Sequence, residues 1–295
     1  IDSLHSRNAD IIILLSHMGI ELDTTFAKEF PDIDIIVGGH SHTQLLYPIK
    51  KNKTIVVQAG SRGAFLGKLD VEIDVEGDSI VKFDGRLIET LTQNITPDSS
   101  VEKKVAAMEE QVNSALGEVI GTLQVHWERR SGKRESNIGN WEADVMRKSC
   151  NTDIAFINAG GIRKDLRAGP ITLRDIWEIN PFGNTLQTFS IHGDTLKQMI
   201  MWQANIPSRE FLIPSGVTYF YNSEAPKEEQ NTIIKIDGNN IDENAVYSIS
   251  TNNYVASHLY DFFGVQDENI FVTETGIIDR DAFIEEVRLQ KNISS

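Results

Sequence analysis

A single cysteine, Cys150, occurs in 295 residues, which excludes an internal disulfide and any zinc site built on thiolates. It stands at the end of an expected helix, where a small core filler fits. No apolar stretch approaches the ~20 residues that span a bilayer, and no signal peptide is visible. Positive charge is scarce: 28 Lys and Arg face 43 Asp and Glu, a formal net charge of −15. That balance argues against a nucleic-acid polyanion as the partner. The cations that are present are gathered, however. Arg129, Arg130, Lys133 and Arg134 form one cluster, and Arg163, Lys164, Arg167 and Arg174 another. An anionic small molecule therefore fits the chain where a polyanion does not.

The length leaves room for two domains, and 40% hydrophobic with 24% charged residues is an ordinary globular composition. Residues 1–92 read as strand–helix–strand units followed by antiparallel strands. The apolar runs in Asp10–Leu15 and Ile33–Val37 are expected as strands buried on both faces. Leu22–Phe30 is a short helix between them, and Thr54–Val57 a third strand. Strict alternation over Lys68–Val75 predicts a half-exposed strand, turned at Gly77-Asp78 into a partner near Ile80–Ile88. Thr96-Pro97-Asp98 opens a polar helix to about Leu116, assigned to a linker over 93–117. A second α/β region occupies 118–295. Its clearest elements are a helix over Asn137–Cys150, a strand over Asp153–Ile157 and a Thr172-capped helix near Leu173–Ile179. Further strands are expected near Leu186–Ile191, Val217–Tyr221, Thr232–Ile236 and Val246–Thr251. Further helices are expected at Asp194–Gln203, Asn253–Phe263 and the C-terminus.

Two of the expected strands run into histidines. His17 follows Leu15 by two residues, and Gly38-Gly39-His40-Ser41-His42 follows Val37 directly. If the strands are parallel neighbours, the imidazoles gather at the carboxyl edge of a sheet, where open α/β folds bind ligands. Neutral imidazole ligates zinc, manganese, iron and similar ions. In an extended segment His40 and His42 point to one side, and the two glycines let the backbone turn as it leaves the strand. A polar turn is the plainer reading of His-x-His alone; His17 at a neighbouring strand end favours a metal.

Leu14-Leu15-Ser16-His17-Met18-Gly19 followed by Gly38-Gly39-His40-Ser41-His42-Thr43 resembles the last two metal motifs of calcineurin-like metallophosphoesterases. In detail it is similar to the 5′-nucleotidase branch, which includes UDP-sugar hydrolases. The second region resembles the C-terminal substrate domain of the same family in three blocks. These are Glu135-Ser136-Asn137-Ile138-Gly139-Asn140, Asn158-Ala159-Gly160-Gly161-Ile162-Arg163 and Asn180-Pro181-Phe182-Gly183-Asn184-Thr185. The resemblance implies an α/β fold: the C-terminal half of a metallophosphoesterase α/β sandwich, a linking helix, and a mixed α/β substrate domain.

It also implies metal-dependent hydrolysis of nucleotide phosphate esters, most directly 5′-nucleoside monophosphates. Two divalent ions (manganese, zinc, cobalt or magnesium) would serve it, His17 and His40 ligating one and His42 the other. Arg163, reinforced by the Gly160 and Gly161 amides and by Arg134 or a neighbour, is expected to hold the phosphate. Phe182 and Tyr254 would sandwich the base, with Asn158 and Asn184 beside it; Asn158 reads either as a contact to the base edge or as the closure of its turn. The family's Gly-Gly-Asp-Gly-Phe after the second aromatic is replaced by His258-Leu259-Tyr260-Asp261-Phe262, so Asp261 is an off-register candidate for the ribose.

The family's Asp-x-His, Gly-Asp and Gly-Asn-His-Asp/Glu motifs belong upstream of His17, and the chain begins at Ile1 without them. No catalytic residue is therefore assigned within the chain. It is expected to be an N-terminally truncated form with incomplete ion ligation and no activity alone, its partner being the missing metallophosphoesterase part. The resemblance favours an exported or cell-surface setting. Two rival readings stay open. One is a related phosphoesterase acting on UDP-sugars, cyclic nucleotides or sugar phosphates; the other is a nucleotide-binding module without catalysis.

Overall fold

The computed structural model describes residues 1–77, 79–90, 95–130, 134–205, 211–220, 233–265 and 270–294. Lys133 and the expected strand ends Tyr221 and Thr232 lie outside the described residues. The chain divides into two compact units, Ile1–Glu102 and Lys103–Ser295, and its fold is mixed α/β.

The first unit holds α1 (Asp2–His5), β1 (Ile13–Leu15), α2 (Ile20–Glu29), β2 (Ile35–Val37), β3 (Ile49–Lys51), β4 (Thr54–Val57) and the hairpin β5 (Phe65–Asp74) and β6 (Ser79–Glu89). One sheet runs β1-β2-β4-β3, with β1, β2 and β4 parallel and β3 antiparallel. Helix α2 covers one face, where Ala27 packs with Ile33, Ile36 and Val56. The other face differs from the expectation for β1. Side chains alternate across a strand, and the two residues that point away from α2, Ile13 and Leu15, are 55% and 79% exposed. Strand β1 is also an edge of its sheet, so among the described residues neither its outer face nor its outer edge is covered. Beside this face, a cavity of about 460 Å³ opens between the sheet and the β5–β6 hairpin, lined by Ile13, Val37, Leu45, Val57, Leu69 and Leu87.

Helix α3 (Ser99–Leu116) buries none of its residues. The second unit continues with β7 (Val119–Leu123), α4 (Asn137–Cys150), β8 (Ile154–Asn158), β9 (Gly169–Thr172), α5 (Leu173–Ile179), β10 (Thr185–His192) and α6 (Gly193–Asn205). Then come β11 (Leu212–Ser215), β12 (Val217–Phe220), β13 (Ile233–Ile236), β14 (Asn239–Asn240), β15 (Val246–Asn252), α7 (Asn253–Ala256), α8 (Leu259–Phe263), β16 (Thr273–Ile278), α9 (Asp279–Gln290) and β17 (Asn292–Ile293). The main sheet is β11-β8-β15-β10-β16. Strands β8 and β15 run parallel, and the other pairs are antiparallel.

Strand β8 is buried along its whole length, and its alternate residues feed two cores. Ala155 and Ile157 pack with Trp141 and Val145 of α4 and Phe283 of α9. Ile154 and Phe156 pack with Leu196 and Met199 of α6 and Phe263 of α8. Helix α5 starts as expected at Thr172, in a capping box closed by Asp175. Cys150 packs, partly buried, against the first core, and burial pushes its thiol pKa up.

The helix expected over Asn253–Phe263 is two short ones, broken at Ser257–His258. Ser257 Oγ donates to the Asn253 carbonyl and the His258 ring meets the Tyr254 carbonyl at 2.8 Å. The His258 ring thereby takes up the Tyr254 carbonyl that its own N–H would bond in a continuing helix, and that N–H turns to the Val255 carbonyl instead.

Candidate functional site

Strand direction brings the substrate-domain blocks to one edge of the main sheet. Parallel strands β8 and β15 end there, at Asn158 and Asn252. Their antiparallel neighbours begin or end in register with them: Leu212 pairs with Asn158, Leu186 with Asn252, and Thr185 with Ile278. The loop after β8, the 180–184 turn, the start of α7 and the start of α9 therefore emerge side by side.

The loop after β8 is pinned from within. Asn158 is 9% exposed, and its side-chain oxygen accepts the Asn252 amide at 2.9 Å. A Cβ on Gly161 would stand 3.2 Å from the Asn158 amide, so the loop folds closely over this side chain. The bond from Asn252 engages the Asn158 oxygen in closing its turn, one of the two readings left open for it. Asn252 in turn caps α7 by accepting the Val255 N–H at 2.9 Å. It joins the arginine loop to the helix that carries Tyr254. Asn252 was missed from sequence, although an Asn at a strand-to-helix junction is an N-cap signal.

Arg163 N–H donates to the Ile179 carbonyl at 2.8 Å. Its guanidinium donates to the Gly160 carbonyl at 3.2 Å and stands 5.5 Å from the Phe182 ring centroid. Arg163 has no carboxylate partner among the described residues, while its neighbours are engaged. Lys164 pairs with Asp175 and Glu178, and Arg174 with Glu178 and Glu109. Arg129 pairs with Asp165 at 3.0 Å and donates to the Arg163 carbonyl at 2.8 Å. It braces the loop. Arg130 and Arg134 are exposed. The edge thus presents the Arg163 guanidinium, without a carboxylate partner among the described residues, beside an aromatic ring that is 55% exposed.

Tyr254 is 49% exposed, with His258 tilted against it at 4.9 Å between centroids and Phe262 edge-on at 5.9 Å. Asp261 is exposed, and its main-chain carbonyl accepts the Trp202 indole N–H at 3.3 Å.

The first signature block is a brace. Ser136 caps α4, accepting the Gly139 N–H at 3.2 Å. Asn137 accepts the Glu128 N–H at 2.9 Å and donates to the His126 carbonyl at 2.6 Å. Gly139 is where helix and strand meet, since a Cβ there would lie 2.2 Å from Ile213 Cδ1 and 3.2 Å from Ile162 Cδ1.

Beneath the edge lie two acids that sequence reading also missed, Glu142 and Asp279, each 1% exposed. Burial, then the Asp279 charge, pushes the Glu142 carboxyl well above its ordinary value. Burial also raises Asp279, against hydrogen bonds from Asn180, Arg280 and Asn184. A carboxyl raised on folding adds stability below its unfolded pKa, near 4.5 for Glu142, and loses it as pH climbs through the folded value. Glu142→Gln is therefore expected to raise the melting temperature at pH 8 by a few degrees. It should also flatten the loss of stability from pH 5 to 8, as followed by circular dichroism.

In the first unit, β1 and β2 are parallel in register, Leu15 opposite Val37, so both histidine segments leave the same edge. His17 and His40 meet edge-on, with ring centroids 5.3 Å apart. His40 and His42 have φ of +66° and +56°. The segment is a tight turn, not the extended stretch expected, and the argument that both rings face one side fails. A Cβ on Gly39 would lie 2.9 Å from His17 Nδ1, and one on Gly38 2.3 Å from Asp23 Oδ2. Asp23 is fully buried and accepts a hydrogen bond from Ser16 Oγ. Among the described residues, no three His, Cys, Asp or Glu side chains are grouped so as to hold a metal ion.

Residues 119–265 match the family model of the 5′-nucleotidase C-terminal domain. Over 300 residues the chain is 30% identical to the endonuclease YhcR of Bacillus subtilis, covering 97% of this chain and 24% of that protein. It is 30% identical to a 5′-nucleotidase of Diplobatis ommata, covering 87% of this chain and 52% of that one. The crystal structure of a 5′-nucleotidase precursor from Thermus thermophilus superposes with a TM-score of 0.75 at 27% identity, over 99% of this chain and 64% of that one. The chain spans 24% and 52% of the lengths of these two curated relatives. With this domain match, these relatives and this shared fold, the chain belongs to the 5′-nucleotidase family.

Proposed function

We propose that this chain supplies the nucleotide-binding domain and part of the ion site of a metal-dependent phosphoesterase acting on 5′-nucleoside monophosphates. The observation that carries the reading is the Arg163–Phe182 pair, a guanidinium without a carboxylate partner among the described residues, 5.5 Å from an exposed ring at a sheet edge. A phosphate on the arginine and a base on the ring are what that pair suits. Tyr254 offers a second ring, and the Gly160–Gly161 amides lie beside the arginine. Asn184, half-buried, stays assigned beside the base, and Asp279 lies buried beneath it.

His17 and His40 are the residues that would hold a divalent ion, with His42 assigned to a second. Such ions, when bound, neutralise phosphoryl charge and generate a water nucleophile. The remaining donors are assigned to polypeptide outside these 295 residues. The bare face and free edge of β1 support that assignment, because an apolar sheet face of this kind is ordinarily covered.

The test has two parts. By calorimetry the chain should bind AMP at least tenfold more tightly than adenosine, without added metal. With Mn²⁺, Zn²⁺ or Co²⁺ added, it should release phosphate from AMP negligibly. Phosphate-monoester hydrolysis needs up to ~10²¹-fold acceleration, and two imidazoles do not complete an ion shell. Robust turnover by the chain alone would overturn the assignment of the missing donors. Equal affinity for AMP and adenosine would remove the phosphate from Arg163. One observation favours a second substrate class: His258 packs on Tyr254 where the resemblance expects glycine and an acid. UDP-sugars, cyclic nucleotides or sugar phosphates binding more tightly than AMP would establish that class instead.

A further inference from the structure

The 180–184 turn is held from below by two residues a hundred positions downstream. The Asn180 amide donates to Asp279 Oδ2 at 2.9 Å, and Asp279 N–H donates to the Asn184 carbonyl at 2.9 Å. One residue thus ties both ends of the turn. The next residue fills its middle. The Arg280 guanidinium lies over Trp177, 3.5 Å from the ring centroid, and a Cβ on Gly183 would stand 3.0 Å from its Nη2. Gly183 itself has φ of +61°. Asn180 is 4% exposed and Asp279 1%, while Phe182 between the two ties is 55% exposed. The turn is therefore packed below and open above. This arrangement spends a buried carboxylate and a stacked guanidinium on a five-residue turn, more than chain reversal alone requires.

We infer that Asp279 and Arg280 are positioning residues that fix the angle at which Phe182 presents its ring to the base of a bound nucleotide. The inference rests on the reading of Phe182 as a base-stacking residue. Neither residue reaches the ligand. Arg280 props the turn at Gly183, Trp177 holds Arg280 in plane, and Asp279 closes the ends. Losing the prop frees the ring to swing away from the stacking angle and leaves the phosphate contact at Arg163 intact.

The experiment uses the 295-residue chain with Arg280→Ala, Arg280→Lys and Asp279→Asn, and two probes, adenosine and ribose 5-phosphate. Arg280→Ala is expected to weaken adenosine by tenfold or more and ribose 5-phosphate by less than twofold. Arg280→Lys, which keeps charge and bulk, should recover part of the loss. Hydrogen–deuterium exchange should speed up at least tenfold at the amides of 182–184 in Arg280→Ala and stay unchanged in β10. Asp279→Asn should speed exchange across the same turn. Unchanged adenosine affinity in Arg280→Ala, or equal losses for both probes, would overturn the inference. If the wild-type chain binds neither probe, the nucleotide reading fails. Exchange then decides the clamp separately, and unaltered exchange at 182–184 rejects it.

Discussion

Gly38→Ala is expected to unfold the first unit at a melting temperature about 10 °C or more below the parent chain, with the second unit's transition unmoved. A Cβ at this position would lie 2.3 Å from Asp23 Oδ2 and 3.6 Å from the Val57 carbonyl. Asp23 cannot step aside into water, since it is fully buried and held by Ser16. Overpacking a core costs roughly 1–3 kcal/mol, and each kcal/mol is worth about 4–8 °C in a unit of this size. Displacing Asp23 also breaks its hydrogen bond to Ser16, one residue before His17, so the His17–His40 approach should be lost with it. Gly63→Ala is the control. Gly63 has φ of +65° but open space around it, so only the backbone strain of about 1–2 kcal/mol applies. Scanning calorimetry of the two variants separates crowding from strain. Equal small shifts in both would mean that the strand end tolerates a side chain.

Arg163→Ala is expected to weaken AMP binding about 10- to 150-fold, the equivalent of a charge-assisted hydrogen bond worth ~1.5–3 kcal/mol, and to leave adenosine within twofold. Arg129→Ala should also weaken AMP, but by another route. It removes the brace on the Arg163 carbonyl and the pair with Asp165, so its loss should come with faster exchange of the 163–166 amides. Isothermal titration with AMP, adenosine and phosphate reads the first effect. An Arg163→Ala chain that keeps its AMP affinity would move the anion site elsewhere on the edge.

Local pattern carried much of the architecture. The helix over Asn137–Cys150 and the Thr172 cap were legible because amphipathic spacing and capping chemistry are written in neighbouring residues. So was the alternating β5–β6 hairpin. Strands β7, β9 and β11 were not legible. They are four or five residues long, and Val119–Leu123 is strand because Gly169–Thr172 pairs with it from a distance. The two-sided burial expected for β1 failed because apolar composition cannot say what lies against it. The extended reading of His40–His42 failed because His accepts positive φ when a tight turn demands it. At the candidate site, the side chains proposed to meet the ligand, Arg163, Phe182 and Tyr254, were picked out by their motifs. Those that hold them in place, Asn252, Asp165, Asp279 and Arg280, were not. The partners that matter here lie 36 to 103 residues away in the chain, and no local pattern encodes such a pairing.

The bond between Asn158 and Asn252 spans 94 positions, and this has a consequence for biosynthesis. Closing so long a loop costs entropy before any contact repays it, and β15 must add beside β8 before the two amides meet. The 180–184 turn waits longer still, for β16 and the start of α9 to leave the ribosome. During synthesis this sheet edge is therefore among the last parts of the second unit to take shape. Protection of the 180–184 amides from exchange in a nascent or clipped chain would report that α9 had already docked.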